Sequence, residues 1–491
     1  MSGTRSTGAQ PSGDGHGDHR MSAPGRSVPH SEGMNAVAGD SRDPNVAAST
    51  PAATRRAILN TIRGSSGNLV EWYDVYVYTV FATYFENQFF DSADKNSTVY
   101  VYAIFAVTFV MRPVGSWFFG RYADRRGRRA ALTFSVSLMA ACSLVVALTP
   151  GRESIGVWAA VVLVLARLVQ GFATGGEYGT SATYMSEAAT RERRGFFSSF
   201  QYVTLIGGHV LAQLTLLVMQ SFLDKEQIAD FGWRIAFFIG GVAAVVVFWL
   251  RRSMDESLTS EQLEAVRSGE DRSSGSLREL LVNYWRPLLV CFLVTIGGTI
   301  AFYTYSVNAP AIVKTAYEDH GKTGTWINLV GLVFLMLLQP LGGLISDKVG
   351  RKPVLIFFGV GGVIYTYFLI TYLPKTTSIA ASLTLVCIGY VILTGYTSIN
   401  AIVKAELFPS HIRALGVGIG YAVANSAFGG TAPVIYQAAK NGGHVPLFIA
   451  YVTAVIAVSL LVYIFVLRNK SETALDREQG RAYAVQGGPR D

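Results

Sequence analysis

The chain has 491 residues, 50% hydrophobic and only 15% charged, with 41 Lys and Arg against 33 Asp and Glu for a formal charge of +8. A soluble domain carries roughly 25% charged residues, and the apolar residues here come in blocks too long for a globular core, which excludes disorder over the whole length and a water-soluble enzyme. The basic surplus sits in short clusters between those blocks, a pattern of membrane topology rather than of nucleic-acid binding.

Residues 1–54 are rich in Gly, Ser, Pro, Asp and His and hold no apolar run. A signal peptide needs such a run of about 7–15 residues, so the segment reads as a disordered cytoplasmic N-terminal tail. His16, His19 and His30 are irregularly spaced within it, as in a solvated linker rather than a metal site.

A spanning helix needs about 20 apolar residues. Twelve such segments follow: 64–90, 97–120, 130–149, 156–187, 195–222, 233–251, 286–314, 324–346, 353–373, 378–405, 412–440 and 444–467. Basic clusters fall on one side, at Arg55, Arg56 and Arg63, at Arg121 to Arg129, at Arg191 to Arg194, at Arg251 and Arg252, at Lys348 to Lys352, and at Arg468 and Lys470. The loops between hold single basic residues, among them Lys95, Arg152, Lys225 and Lys440. The positive-inside rule puts both termini in the cytoplasm. The expected domains are a six-helix half over 55–252, a central cytoplasmic loop over 253–285 in which Glu261 to Arg267 suit an amphipathic surface helix, a second half over 286–468, and a tail over 469–491. Cys142, Cys291 and Cys387 lie in apolar runs and read as small buried hydrophobes.

An internal repeat supports the two halves. Gly120-Arg-Tyr-Ala-Asp124-Arg-Arg-Gly127-Arg128-Arg129 follows the second span, and Gly343-Leu-Ile-Ser-Asp347-Lys-Val-Gly350-Arg351-Lys352 follows the eighth. A carboxylate at such a place can accept from the first N–H groups of a neighbouring helix and pair with an Arg. Gly120, Asp124, Gly127, Arg128, Asp347, Gly350 and Arg351 are therefore candidate gating residues; a bare orientation signal would need the arginines but neither the Asp nor the Gly.

This loop resembles the signature of the major facilitator superfamily. Gly67-Asn-Leu-Val-Glu71-Trp-Tyr-Asp74, Met111-Arg112-Pro113, Arg167 leading to Gly175-Gly-Glu177-Tyr-Gly179, Phe200-Gln201-Tyr202, Lys404-Ala-Glu406-Leu-Phe-Pro409 and Tyr421-Ala-Val-Ala-Asn425 resemble the metabolite:proton symporters within it. The resemblance spans roughly residues 55–470. It implies an all-α membrane protein of twelve transmembrane helices in two six-helix pseudo-repeats. It also implies alternating access and proton-coupled symport of a small carboxylate, α-ketoglutarate first. Citrate, shikimate or a zwitterionic osmolyte, a non-coupled facilitator and a solute sensor are the alternatives. The partners so implied are the solute, protons and the lipid bilayer of a bacterial-type inner membrane, with a monomeric carrier, no nucleic acid, no metal and no cofactor beyond the coupling proton.

A charge at the bilayer centre costs at least about 2.5–3.5 kcal/mol, so each one is a candidate for function. Arg112 lies eight residues before Gly120, about 12 Å from the end of its span. A guanidinium there suits a carboxylate ligand, or a fixed ion pair with a first-span acid. Arg167, Gln170, Thr174, Glu177 and Ser181 form one polar stripe on the fourth span, expected to line the central cavity. Glu71 and Asp74 stand one turn apart on the first span. The resemblance places an acid and an Arg together on spans one and four. Asp74 and Arg167 thus become the proton-coupling pair, with Glu71 and Glu177 beside them; a permanent salt bridge is the other reading. Arg112, Arg167, Gln201, Tyr202, His209, Tyr303, Asn400 and Asn425 are the candidate substrate contacts, with Tyr305, Tyr396 and Tyr421 as further hydroxyl donors. No G-x-x-x-x-G-K-[ST] is present, and Gly175 to Gly179 lies inside a span without the strand a phosphate loop requires.

Overall fold

The computed structural model describes residues 51–91, 97–126, 128–187, 193–252, 276–317, 322–469, 473 and 475. The chain divides into two units, residues 1–54 and Arg55–Asp491, and the architecture below is that of the second. Most of the expected N-terminal tail, the surface helix expected around Glu261 to Arg267 and nearly all of the C-terminal tail lie outside the described residues. Gly127 and the side chains of Asp124 and Arg128 do as well.

Hydrocarbon offers no water to backbone N–H and C=O groups, so each apolar block satisfies them within itself as a helix. The spans are Pro51–Phe89, Ser97–Val110 with Arg112–Arg126, Arg128–Leu148, Trp158–Glu187, Arg194–Phe222, Trp233–Arg252, Trp285–Tyr303 with Ala309–Thr315, Lys322–Val349, Arg351–Tyr372, Ile379–Thr397 with Asn400–Ala405, Ser410–Ala424 with Thr431–Asn441, and Val445–Phe465. Among the described residues ten of them, all but the first and eleventh, are long and apolar enough by themselves to cross a membrane. The first carries Asn68, Glu71 and Asp74, and the eleventh a run of glycines with Asn425 and Ser426.

The spans that build the centre are interrupted. Pro113 has no N–H for the carbonyl of Phe109, and the second span breaks at Met111. The freed Phe109 carbonyl accepts instead from the Ser426 hydroxyl on the eleventh span. Wide π turns at Thr304–Asn308 and Asn425–Gly429 loosen the seventh and eleventh spans where their polar residues fall. Cys142 and Cys291 are buried and Cys387 is half-buried, all three as free thiols.

Helices cannot be drawn together by hydrophobicity in lipid, so close packing relies on small residues. Gly171, Gly175 and Gly179 repeat every fourth residue along the fourth span. A Cβ at Gly171 would strike the Thr108 carbonyl, and one at Gly175 would strike the Arg112 carbonyl and approach the Ser116 nitrogen to 2.8 Å. The fifth span lies along the eighth, the fourth against the tenth and eleventh, and the second against the eleventh. At the Arg-rich end Tyr178 and Tyr421 stack across the halves at 3.5 Å. At the other end a cavity of about 480 Å³ separates Tyr84, Glu86 and Tyr102 from Lys314, Tyr317 and Lys440.

The contacts set a contrast. Gly175→Ala forces its methyl onto packed backbone and should lower stability by about 1–3 kcal/mol. Gly418→Ala, where a Cβ would meet Gly179 at an ordinary 3.6 Å, should be nearly neutral. The thermal midpoint of each purified variant checks this, and equal midpoints would refute it.

Candidate functional site

Asp74 and Arg167 meet. Arg167 Nη1 is 3.5 Å from Asp74 Oδ2, and the two side chains are 2% and 4% exposed. Gln170 Nε2 donates to Asp74 Oδ2 at 2.7 Å and lies 3.0 Å from Ser143 Oγ, whose hydroxyl donates to Asp74 Oδ1 at 2.5 Å. The carboxylate is thus held by the third and fourth spans together. The guanidinium is less well served. It lies over the Tyr78 ring at 4.1 Å, and its Nε and Nη2 have no hydrogen-bond partner. A 3.5 Å contact is at the limit of a hydrogen bond, so Arg167 leans on Asp74 by charge and on Tyr78 by its ring face.

The fourth-span stripe does not line the central cavity as expected. Arg167 and Gln170 turn to Asp74, Thr174 to its own helix, Glu177 to the sixth span and Ser181 to Gln201 on the fifth. The stripe is the seam inside the first six spans, where neighbouring helices satisfy its polar groups. Glu177 does not join Asp74 either. Both oxygens of Glu177 face Arg251, Nη1 at 3.3 Å from Oε2 and Nη2 on Oε1, and Arg251 also donates to the Leu132 carbonyl at 3.0 Å. Glu71 sits against Glu177, within reach of Arg112 and Arg251. Arg251, read from sequence as a topology signal, is therefore a buried counter-charge at 1% exposure. Its guanidinium packs flat on Gly67, where any side chain would displace it.

Arg112 lies between the halves. The break at Met111 and the bond from Ser426 bring its turn against the eleventh span. Its guanidinium covers the Phe109 ring at 4.0 Å and the Trp72 ring at 5.1 Å. It is 3% exposed, and its Nε and Nη2 have no hydrogen-bond partner. Around it stand Tyr76, Tyr303 and Tyr421, each within electrostatic reach of its charge. Asn425 faces the Tyr303 hydroxyl. Asn400 Nδ2 donates to the Tyr202 hydroxyl at 2.9 Å and to that of Tyr178 at 3.1 Å. Gln201 accepts from Ser181 at 2.9 Å and leaves its amide nitrogen unused. His209 stacks on Tyr76 at 3.9 Å and lines the cavity with Gln213.

The structure thus brings Arg112, Tyr202, Tyr303, Asn400, Asn425 and Tyr421 into one polar centre, joins His209 to it through Tyr76, and turns the Gln201 side chain to Ser181. It turns Tyr305 away, whose hydroxyl is 2.8 Å from Thr366 Oγ1. The Tyr396 hydroxyl lies 3.4 Å from the Thr295 carbonyl and within electrostatic reach of Tyr178, Tyr202 and Tyr421. Lys404, named in the sequence only as part of the motif Lys404 to Pro409, joins the same centre. It is fully buried, and its Nζ donates to the Tyr178 hydroxyl at 3.2 Å. The signal that marked Arg112, a charge within an apolar segment, would have found it. Among the described residues no cluster of His, Cys, Asp or Glu could hold a metal ion.

The second copy of the repeated loop has the expected geometry. Asp347 accepts from the backbone N–H of Gly195 at 2.8 Å and of Phe196 at 2.9 Å, at the start of the fifth span. It also pairs with Arg351 at 2.8 Å. Arg351 donates to Ser346 Oγ at 2.7 Å and lies 3.6 Å from Glu406. A carboxylate on the eighth span thereby caps a helix of the other half. Gly350 turns the chain with φ +99°, a left-handed conformation that favours glycine.

The sequence pattern of the sugar (and other) transporter family matches residues 60–478. The chain is 42% identical over 421 residues to the alpha-ketoglutarate permease of Escherichia coli K12, covering 86% of this chain and 96% of that protein. It is 31% identical over 392 residues to the citrate-proton symporter of Salmonella typhi, covering 79% and 89%. The major facilitator superfamily proton:xylose symporter bound to 6-bromo-6-deoxy-D-glucose shares the fold at a TM-score of 0.71 and 17% identity, over 87% of this chain and 99% of that one.

Removing one partner of a buried ion pair strands the other and costs about 3–5 kcal/mol. Arg251→Gln should therefore destabilise the protein severely, and adding Glu177→Gln should restore most of the loss. Thermal midpoints of the two singles and the double test this; additive losses would show that the two side chains are not coupled.

Proposed function

We propose that this chain, which belongs to the sugar (and other) transporter family of the major facilitator superfamily, imports a small carboxylate, α-ketoglutarate first, together with protons. It is a multi-pass membrane transporter and not an enzyme. The observation that carries the substrate class is Arg112, a guanidinium buried between the halves with two nitrogens unpaired and hydroxyl and amide groups around it. A ligand carboxylate fills the two open nitrogens, and the planar guanidinium takes it in two parallel hydrogen bonds. The names of the two relatives agree with this class, one for an α-keto dicarboxylate and the other for citrate with a proton.

Asp74 and Arg167 carry the proton on this reading. Protonating Asp74 cancels the charge that holds Arg167, whose other contacts are the Tyr78 and Phe237 ring faces, with two nitrogens bare. The ionic tie between the first and fourth spans is then lost, and the hydrogen bond from Gln170 remains. A plain facilitator has no need of such a pair. The Arg-rich face is placed in the cytoplasm of a bacterial-type inner membrane, with both termini there, in a monomeric carrier of two six-helix halves. The 480 Å³ cavity then opens outward. Asp347, at the start of the fifth span, is a latch of the closed inner face, and the corresponding loop residues Asp124 and Arg128 are assigned the same task. Glu71, against Glu177, is kept as an auxiliary acid of the proton path.

Two measurements test this. Asp74→Asn should abolish accumulation driven by a pH gradient while sparing exchange of external for internal substrate, because exchange never returns the carrier empty. Persistent pH-driven accumulation would remove Asp74 from the proton path. Arg112→Lys keeps the charge and loses the fork, so the KM for α-ketoglutarate should rise about tenfold or more, with Arg112→Gln worse. Proline uptake or competition measured in parallel should change less, and an equal loss for both solutes would make Arg112 structural.

A further inference from the structure

Lys404 is a second buried cation at the centre of the molecule. It lies on Asn400–Ala405, the short helix beyond the break in the tenth span. Its exposure is 0%, and among the described residues no carboxylate pairs with it. One N–H of the ammonium goes to the Tyr178 hydroxyl at 3.2 Å. The rest of the charge rests on ring faces, Tyr421 at 4.2 Å and Tyr178 at 5.0 Å. A neutral hydroxyl and two π faces are weak company for a desolvated ammonium, which in a membrane interior is expected to meet an anion.

Its surroundings are those of the polar centre. Asn400, one turn earlier, donates to both the Tyr178 and the Tyr202 hydroxyls and leaves its own oxygen without a partner. Tyr421 is shared by the two cations, with Lys404 over its ring and Arg112 within electrostatic reach of its hydroxyl. One belongs to the second span and the other to the tenth, so each half supplies one. The Tyr178 hydroxyl, which now occupies Lys404 and Asn400 together, is the acceptor that a carboxylate oxygen would replace.

We infer that Lys404 is the specificity-determining anchor for the second carboxylate of the substrate, with Arg112 holding the first. The inference rests on the carboxylate reading above and sharpens it. A dicarboxylate bridges the halves, a monocarboxylate engages only Arg112, and selectivity between them resides in Lys404.

The test is binding to the purified full-length protein, with α-ketoglutarate and 2-oxopentanoate as probes; the second is the same chain with one carboxylate replaced by a methyl. Wild type should favour α-ketoglutarate. In Lys404→Gln the Kd for α-ketoglutarate should rise about tenfold to a hundredfold, the range of a hydrogen bond to a charged group, while that for 2-oxopentanoate stays within about twofold. Lys404→Arg should retain most of the preference. Tyr178→Phe, which removes the competing acceptor and keeps the ring, should bind α-ketoglutarate more tightly relative to 2-oxopentanoate. An equal loss for both probes in Lys404→Gln, or an unchanged ratio in both Lys404→Gln and Tyr178→Phe, overturns the inference and leaves the carboxylate reading intact. Wild type that binds neither probe nor any other carboxylate overturns both.

Discussion

A charge inside a bilayer has to be answered by another charge, and this single cost arranges the interior of the protein. Asp74 with Arg167, Glu177 with Arg251 and Asp347 with Arg351 answer each other within the chain. Each pair ties two segments together: the first span to the fourth, the fourth to the sixth, and the eighth to the ninth, with Asp347 reaching on to the fifth. Lys404 has no carboxylate partner among the described residues, and Arg112, with Glu71 in electrostatic reach, leaves Nε and Nη2 unbonded. Both face the interface between the halves, which is where a solute has to pass. In the proposed cycle the substrate carboxylates take up these open positions.

The same constraint couples recognition to movement. Tyr178 on the fourth span and Tyr421 on the eleventh stack across the halves, and both cover Lys404. Separating them would open the Arg-rich end and uncover the ammonium at once. Asp347 adds a second tie, since it accepts from N–H groups that a helix N-terminus leaves without partners.

The second, seventh, tenth and eleventh spans lose regular helix where their polar residues cluster. The bond from Ser426 to the Phe109 carbonyl crosses the halves. It links the Pro113 break that positions Arg112 to the wide turn that begins at Asn425.

The number and order of the spans were written in the sequence, because hydropathy, charge asymmetry and the repeated Gly–Asp–Gly–Arg loop are local signals that neighbours in space do not alter. So was the list of residues too costly to lie in a membrane without a task, Asp74, Arg112, Arg167 and Glu177 among them. Periodicity could also say that the fourth-span stripe shares one face. It could not say what that face meets. Whether Arg167, Gln170 and Glu177 look into a cavity or into a seam between helices depends on the azimuth of each packed helix, and glycines such as Gly171 and Gly175 set that azimuth through contacts with distant parts of the chain. Arg251 and Arg252 are adjacent and chemically identical, yet one is buried against Glu177 and the other is exposed. Lys404 lies beyond the break in the tenth span, on Asn400–Ala405, and only the packed bundle brings it against Tyr178 and Tyr421. Pairing is a property of the assembled bundle, and only the tertiary structure decided which charges were answered and which were left for a ligand.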